Sequence, residues 1–88
     1  MKANKQKVVR LLKTARGQVD GILKMVEEDQ YCMDISHQLL AAQAVLKKAN
    51  QEVLLAHLHS CVKEAAVEGE HADEKIEELA ILIDKLLK

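Results

Sequence analysis

The chain has 88 residues, enough for one small domain, and a net charge of −1. It contains no Pro, Trp or Phe, one Tyr and three Gly, which excludes a sheet-rich architecture and favours long helices. No apolar run reaches the length of a membrane span and no secretory segment follows Met1, so we expect a cytoplasmic protein.

The first predicted helix covers residues 5–28, where apolar residues recur at steps of three and four. Because acidic side chains are unfavourable at a helix C-terminus, we expect Asp29 or a neighbour near the N-cap of the next helix. The positions predicted to form one buried stripe are Val8, Leu11, Leu12, Ala15, Val19, Ile22, Leu23 and Val26.

The second predicted helix, residues 31–66, is unusually long, and a third covers residues 73–87. A helix of this length spans about 50 Å, more than the width of so small a domain. We therefore predict an all-α fold in a single domain over residues 1–88. Its three-helix protomers pair along the long helix into an antiparallel four-helix-bundle dimer, which is also compatible with a tetramer.

Three residues that commonly bind metals stand out by their spacing: Cys32, His57 and Cys61. His57 and Cys61 are four positions apart and share one helix face. Cys32 precedes His57 by 25 residues, or about 37 Å of helix, whereas metal bonds measure about 2.0–2.3 Å. If the three bind one ion together, Cys32 must come from a second chain.

Two thiolates and one imidazole form a soft donor set that suits Cu(I) and also permits Zn(II). A structural zinc site would normally need a fourth ligand, and the chain has no third cysteine. Buried cysteines and surface histidines are also common without a metal. Spacing alone therefore leaves a metal site and ordinary packing as equal alternatives.

The net charge is close to zero, but positive and negative residues are strongly separated along the chain. Residues 1–26 carry seven cations against Asp20 alone, whereas residues 51–88 carry nine acids against four lysines. Such a local excess of positive charge is compatible with a nucleic-acid surface, although charged helix faces are often only solvated. The candidate basic band comprises Lys5, Arg10, Lys13, Arg16 and Lys24, with Lys47 and Lys48 from the second helix.

The segments RLLKTARGQVDGILKMVEEDQYCMDI and HLHSCVKEAA closely resemble the copper-sensitive operon repressor family, the CsoR/RcnR regulators. The resemblance covers nearly the whole chain and implies an all-helical dimer of dimers. It also implies an intersubunit Cu(I) site, with Cys32 from one chain and His57 and Cys61 from the other. Tyr31 and Glu77 are implied as partners of the His57 ring that transmit occupancy.

The ligand set favours the copper-sensing branch within this resemblance. The nickel and cobalt branch replaces the second cysteine with histidine, persulfide sensors lack the histidine, and formaldehyde sensors lack the second cysteine. This chain keeps both Cys61 and His57.

The resemblance also implies that Arg16, Gln18 and Lys48 bind operator DNA, beside Arg10 and Lys13 of the basic band. We therefore expect a non-enzymatic Cu(I)-responsive repressor that releases the operator of copper-efflux or copper-homeostasis genes when Cu(I) binds. The alternatives are a thiol- or persulfide-sensing repressor of the same family and a cytosolic copper buffer that does not bind DNA.

Overall fold

The computed structural model describes the backbone of residues 1–68 and 72–87, and the side chains of residues 1–60, 63, 74 and 76–85. Over this part the chain forms helices α1 (Lys5–Glu27), α2 (Cys32–Glu68) and α3 (Ala72–Leu87), with no strand. The predicted all-α class is confirmed, and each helix end lies within two residues of its predicted position. No helix within the described ranges is long and apolar enough to cross a membrane.

The chain separates into two compact units. The first, which we call the hairpin unit, is Lys5–Asn50 and contains α1 and the first half of α2. The second, which we call the α3 unit, is Met1–Asn4 with Gln51–Lys88. The single domain predicted for residues 1–88 stays a prediction.

The core of the hairpin unit is a seam of residues spaced seven apart. On α1 the residues are Val8, Ala15 and Ile22, which are 7, 3 and 8% exposed. On α2 they are Ala42 and Ala49, each 5% exposed. A seven-residue repeat keeps one narrow stripe of each helix against its neighbour. Alanine at three of the five positions makes this seam narrow.

The residues predicted to form one buried stripe on α1 form two stripes in the structure, one buried and one exposed. Leu12, Val19, Leu23 and Val26 are 44–54% exposed, so their predicted burial is wrong within the protomer. The physical reason is that the seam occupies only one narrow face of α1, and these four residues lie beside that face. We call them the outer stripe.

The turn between α1 and α2 is closed by backbone hydrogen bonds. The N–H of Gln30 donates to the carbonyl of Met25 (3.0 Å), and the N–H of Asp29 donates to that of Val26 (3.1 Å). Asp29 has a φ of 53°, in the left-handed region. This pair of bonds around a left-handed residue is a Schellman motif, which ends a helix by satisfying its last carbonyls.

Asp29 itself ends α1, and the N-cap of α2, expected near Asp29 or a neighbour, lies two residues later. The carbonyl of Tyr31 instead accepts the N–H groups of Asp34 (3.0 Å) and Ile35 (3.2 Å). Tyr31 is therefore the N-cap residue of α2, and Cys32 is the first residue of that helix.

Gln18 lies between Ala15 and Ile22 in the chain and is half-buried. Its side-chain oxygen is buried and has no hydrogen-bond partner. A buried polar atom without a partner costs about 1–3 kcal/mol. The amide of Gln18 therefore weakens the packing of α1.

Replacing Asp29 with glycine is expected to stabilise the protein by about 0.5–1 kcal/mol, because glycine adopts the left-handed conformation without steric cost. The free energy of unfolding in urea measures this difference. Glu27→Gly, at the last residue of α1, is the matched control and should destabilise the protein by at most about 1 kcal/mol, the cost of glycine in a helix interior. An Asp29→Gly protein less stable than the parent would contradict the assignment of this turn.

Replacing Gln18 with leucine is expected to raise the free energy of unfolding by about 1–2 kcal/mol, because the unpartnered oxygen is removed at similar side-chain volume. Gln43→Leu, at an exposed position of α2, should change it by less than about 0.5 kcal/mol. Equal effects of the two substitutions would show that the amide of Gln18 carries no penalty.

Candidate metal centre and nucleic-acid face

Cys32 offers a thiol at the start of α2. It is a free, exposed cysteine, and the preceding Tyr31 is 66% exposed. The backbone sets the position of the thiol. The Schellman turn ends α1 three residues before Cys32, and the carbonyl of Tyr31 accepts the first helical hydrogen bonds of α2. The thiol of Cys32 is thus accessible to an incoming ion.

His57 lies in the α3 unit, on α2, and its ring is engaged at one nitrogen. Nε2 of His57 lies 2.5 Å from Oε1 of Glu78 on α3, and the two side chains are 43% and 41% exposed. A carboxylate only accepts hydrogen bonds, so the Nε2–H of His57 is the donor. The other ring nitrogen, Nδ1, is the atom left to bind a metal.

The carboxylate on His57 differs from the one that the resemblance implies. Glu77 was expected to contact the ring, but Glu78 makes the contact and Glu77 is exposed. Successive residues of a helix point about 100° apart, so only one of the two carboxylates faces the ring. The predicted partner is therefore corrected to Glu78.

Cys61 lies on α2 four residues after His57, and its side chain is outside the described residues. The backbone is helical from His57 through Cys61, so the two positions share a helix face. Among the described side chains, no three metal-binding groups converge within the protomer. The donor chemistry of Cys32 and His57 fits a soft metal ion.

The basic residues of α1 lie away from its seam with α2. Arg10, Lys13 and Arg16 are exposed and follow one another at steps of three. Lys48 on α2 is also exposed. An open groove of about 520 Å³ runs along α1, lined by Lys5, Gln6, Val9, Arg10 and Lys13.

Gln18 differs from these cations in exposure. Its side-chain oxygen is buried, whereas Arg10, Lys13 and Arg16 are exposed. The expectation that Gln18 contacts operator DNA stays a prediction, because only its side-chain oxygen is buried and the residue as a whole is half-buried. A buried polar atom of this kind has no distinct signal in the sequence.

Comparisons with known proteins agree on one family. Residues 4–85 match the family model of metal-sensitive transcriptional repressors. The chain is 43% identical over 77 residues to the copper-sensing transcriptional repressor CsoR of Mycobacterium bovis, covering 88% of this chain and 64% of that protein. It is 39% identical over 84 residues to CsoR of Bacillus subtilis, covering 96% of this chain and 82% of the relative. The chain thus spans less than two thirds of the length of the mycobacterial relative.

Solved structures give the same result. The nickel-responsive transcriptional regulator InrS matches with a TM-score of 0.85 and 27% identity, over 98% of this chain and 96% of that chain. CsoR with Cu(I) from Geobacillus thermodenitrificans matches with a TM-score of 0.79 and 34% identity, over 100% and 94% of the two chains. With a family model that matches almost its whole length, the chain belongs to the metal-sensitive transcriptional repressor family.

Proposed function

We propose that this chain is a Cu(I)-responsive transcriptional repressor that acts in the cytoplasm. Its metal-free oligomer binds operator DNA and represses genes of copper efflux or homeostasis, and binding of Cu(I) releases the DNA. The observation that carries this proposal is the donor set of Cys32, His57 and Cys61 in a chain of this family.

The donor atoms support copper as the inducing metal. The fold alone does not decide it, because a nickel-responsive regulator and a Cu(I)-bound repressor both match the structure closely. Thiolates are soft ligands that favour Cu(I), and the chain offers two of them with one imidazole nitrogen. The 43% and 39% identities to copper-sensing repressors support the same metal.

The length of α2 supports a site shared between two chains. Cys32 is the first residue of this helix and His57 follows 25 residues later in the same helix. At about 1.5 Å per residue no unbroken helix brings these residues to one ion. A second copy of the chain would supply Cys32 to the His57 and Cys61 of its partner.

The outer stripe supports the self-association that such a site requires. Its residues recur at steps of three, four and seven, and α2 adds Leu39 and Leu46 at 48% and 45% exposure. Apolar side chains aligned along a helix are typical of a surface that packs against another helix. The dimer, and a dimer of dimers, therefore remain part of the proposal.

The basic face of α1 supports binding to DNA. Arg10, Lys13 and Arg16, with Lys48 from α2, are exposed cations of one compact unit, and Arg10 and Lys13 line an open groove. Repeated in each copy of an oligomer, such residues would neutralise several phosphates at once. The shape of the operator would also contribute to specificity.

Metal and DNA binding are linked by thermodynamics in this proposal. If Cu(I) lowers the affinity for the operator, the operator must lower the affinity for Cu(I) by the same factor. The thiols act as ligands and no catalytic step is required of them.

Loss of any one proposed ligand is expected to lower the affinity for Cu(I) by more than about 100-fold. Loss of a residue that only hydrogen-bonds to a metal ligand typically lowers metal affinity by about 10- to 100-fold, which is a smaller effect. Anaerobic competition titrations of Cys32→Ala, His57→Ala and Cys61→Ala measure this. His59→Ala is the matched control, because His59 is exposed and lies two residues from His57 on another face of α2. Full affinity in any one ligand variant would remove that residue from the site.

Mixing two of these variants tests the sharing of the site. Dimers that combine a Cys32→Ala chain with a Cys61→Ala chain contain one complete site if the ligands come from both chains. Because about half of the dimers are mixed after random exchange of chains and the pure dimers contain no complete site, about a quarter of the parental Cu(I) stoichiometry should return on mixing. If mixing restored no Cu(I) binding, the intersubunit arrangement would be contradicted. If the His57→Ala protein still responded by forming a disulfide, the thiol-sensing repressor would be favoured.

We expect the exposed cations of α1, with Lys48 of α2, to bind DNA in a salt-dependent manner. The DNA to test is the segment upstream of the chain's own gene. Each neutralised phosphate adds about −0.9 to the slope of log K against log salt, so Lys13→Ala should make the slope shallower by about one unit for each phosphate that Lys13 neutralises. Lys85→Ala on α3 is the control and should leave the slope unchanged. Absence of salt-sensitive binding in the parent would favour the copper buffer.

A further inference from the structure

We propose that Gly17 is the position on α1 where the sugar–phosphate backbone of bound DNA comes closest to the protein. Because glycine has no side chain, a phosphate can lie against the helix backbone there, with the cations of Arg10, Lys13 and Lys24 around it. Since it takes DNA as the partner of this helix, this inference rests on the proposed function. All four residues belong to the hairpin unit.

Gly17 lies on the face of α1 opposite the seam, in line with two cations. Arg10, Gly17 and Lys24 each follow a buried residue of the seam by two positions, which is about 200° around the helix. They are also seven residues apart, so they form one line along the exposed side of α1. Lys13 lies one turn before Gly17 and is exposed as well. The space between these cations is therefore open down to the helix backbone.

Packing within the protomer gives no reason for glycine at this position. Gly17 is helical, and apart from its chain neighbours and the adjoining helix backbone no heavy atom of the described residues lies within 4 Å of where a Cβ would stand. Alanine would fit there and would favour the helix, because glycine is one of the least favourable residues in a helix interior. Glycine in such a place is typical of a backbone that another molecule approaches closely.

The charges around Gly17 indicate that the approaching molecule is an anion. Asp20 is the only acid among residues 1–26, against seven cations. Nζ of Lys24 lies 4.0 Å from Oε1 of Glu28, but the lysine side chain is 75% exposed, and such exposed ion pairs are weak. The apolar outer stripe lies on another face of α1, so apolar packing between copies does not explain a glycine here. The phosphates of DNA match this charge.

Gly17→Ala is expected to stabilise the metal-free protein and to weaken its binding to DNA. The midpoint of urea unfolding should rise, because alanine favours a helix. The affinity for the DNA segment upstream of the chain's own gene, measured by fluorescence anisotropy, should fall about tenfold or more, because the added methyl group enters a close contact. Gly17→Leu should weaken binding further, while its circular dichroism should stay that of a helical protein.

Gly21→Ala is the matched control. Gly21 is a second exposed glycine of α1 with equally free surroundings among the described residues, but it is turned by about 40° from the line through Gly17. Its replacement should raise the unfolding midpoint in the same way and change the affinity for DNA by less than about threefold. An unrelated duplex of the same length, at low salt, should lose affinity for Gly17→Ala by the same factor as the upstream segment, because phosphate contacts carry no sequence information.

Parental affinity for DNA in Gly17→Ala, or an equal loss in Gly21→Ala, would overturn the inference. So would a Gly17→Ala protein that is less stable than the parent, because the protomer itself would then need the glycine. A smaller oligomer of Gly17→Ala in sedimentation velocity without DNA would assign the glycine to a contact between copies instead. A parent protein that binds neither duplex would refute the proposed function, whereas equal binding by the parent and Gly17→Ala would refute only the role of Gly17.

Discussion

The hairpin unit depends on a narrow seam of small side chains between α1 and α2. Ala15, Ala42 and Ala49 are almost fully buried and occupy little width on their helices. Because the seam uses only one narrow face of α1, other faces remain free for different tasks. The outer stripe occupies one of them and the exposed cations occupy another, so one helix carries both an apolar surface and a charged surface.

In the α3 unit, the buried side chain of Leu82 has a comparable influence on the arrangement of the helices. The burial of Leu82 fixes the rotation of α3, and that rotation places the carboxylate of Glu78 against Nε2 of His57. An apolar contact thus determines which acid faces the ring and which ring nitrogen is left for a ligand. The position of a polar group in the candidate centre is in this way a consequence of hydrophobic packing.

The sequence predicted the three helices and the family because both depend on local patterns, namely apolar periodicity and ligand spacing. It did not predict the left-handed turn at Asp29, because backbone hydrogen bonds hold a residue there that is not glycine. It also failed to separate Glu77 from Glu78, because neighbouring acids differ only in the rotation of α3, which tertiary packing sets. The burial of Gln18 depends on the same kind of long-range packing.

The outer stripe has a consequence for how the stability of this protein must be measured. In the proposed oligomer, the large apolar side chains that are 44–54% exposed in a single copy would gain their burial only when copies meet. Folding is then coupled to association by mass action, so the midpoint of thermal unfolding should rise with total protein concentration. A melting temperature of this chain has meaning only when that concentration is stated, and a dilute cell with few copies would hold a less stable protein than a concentrated sample.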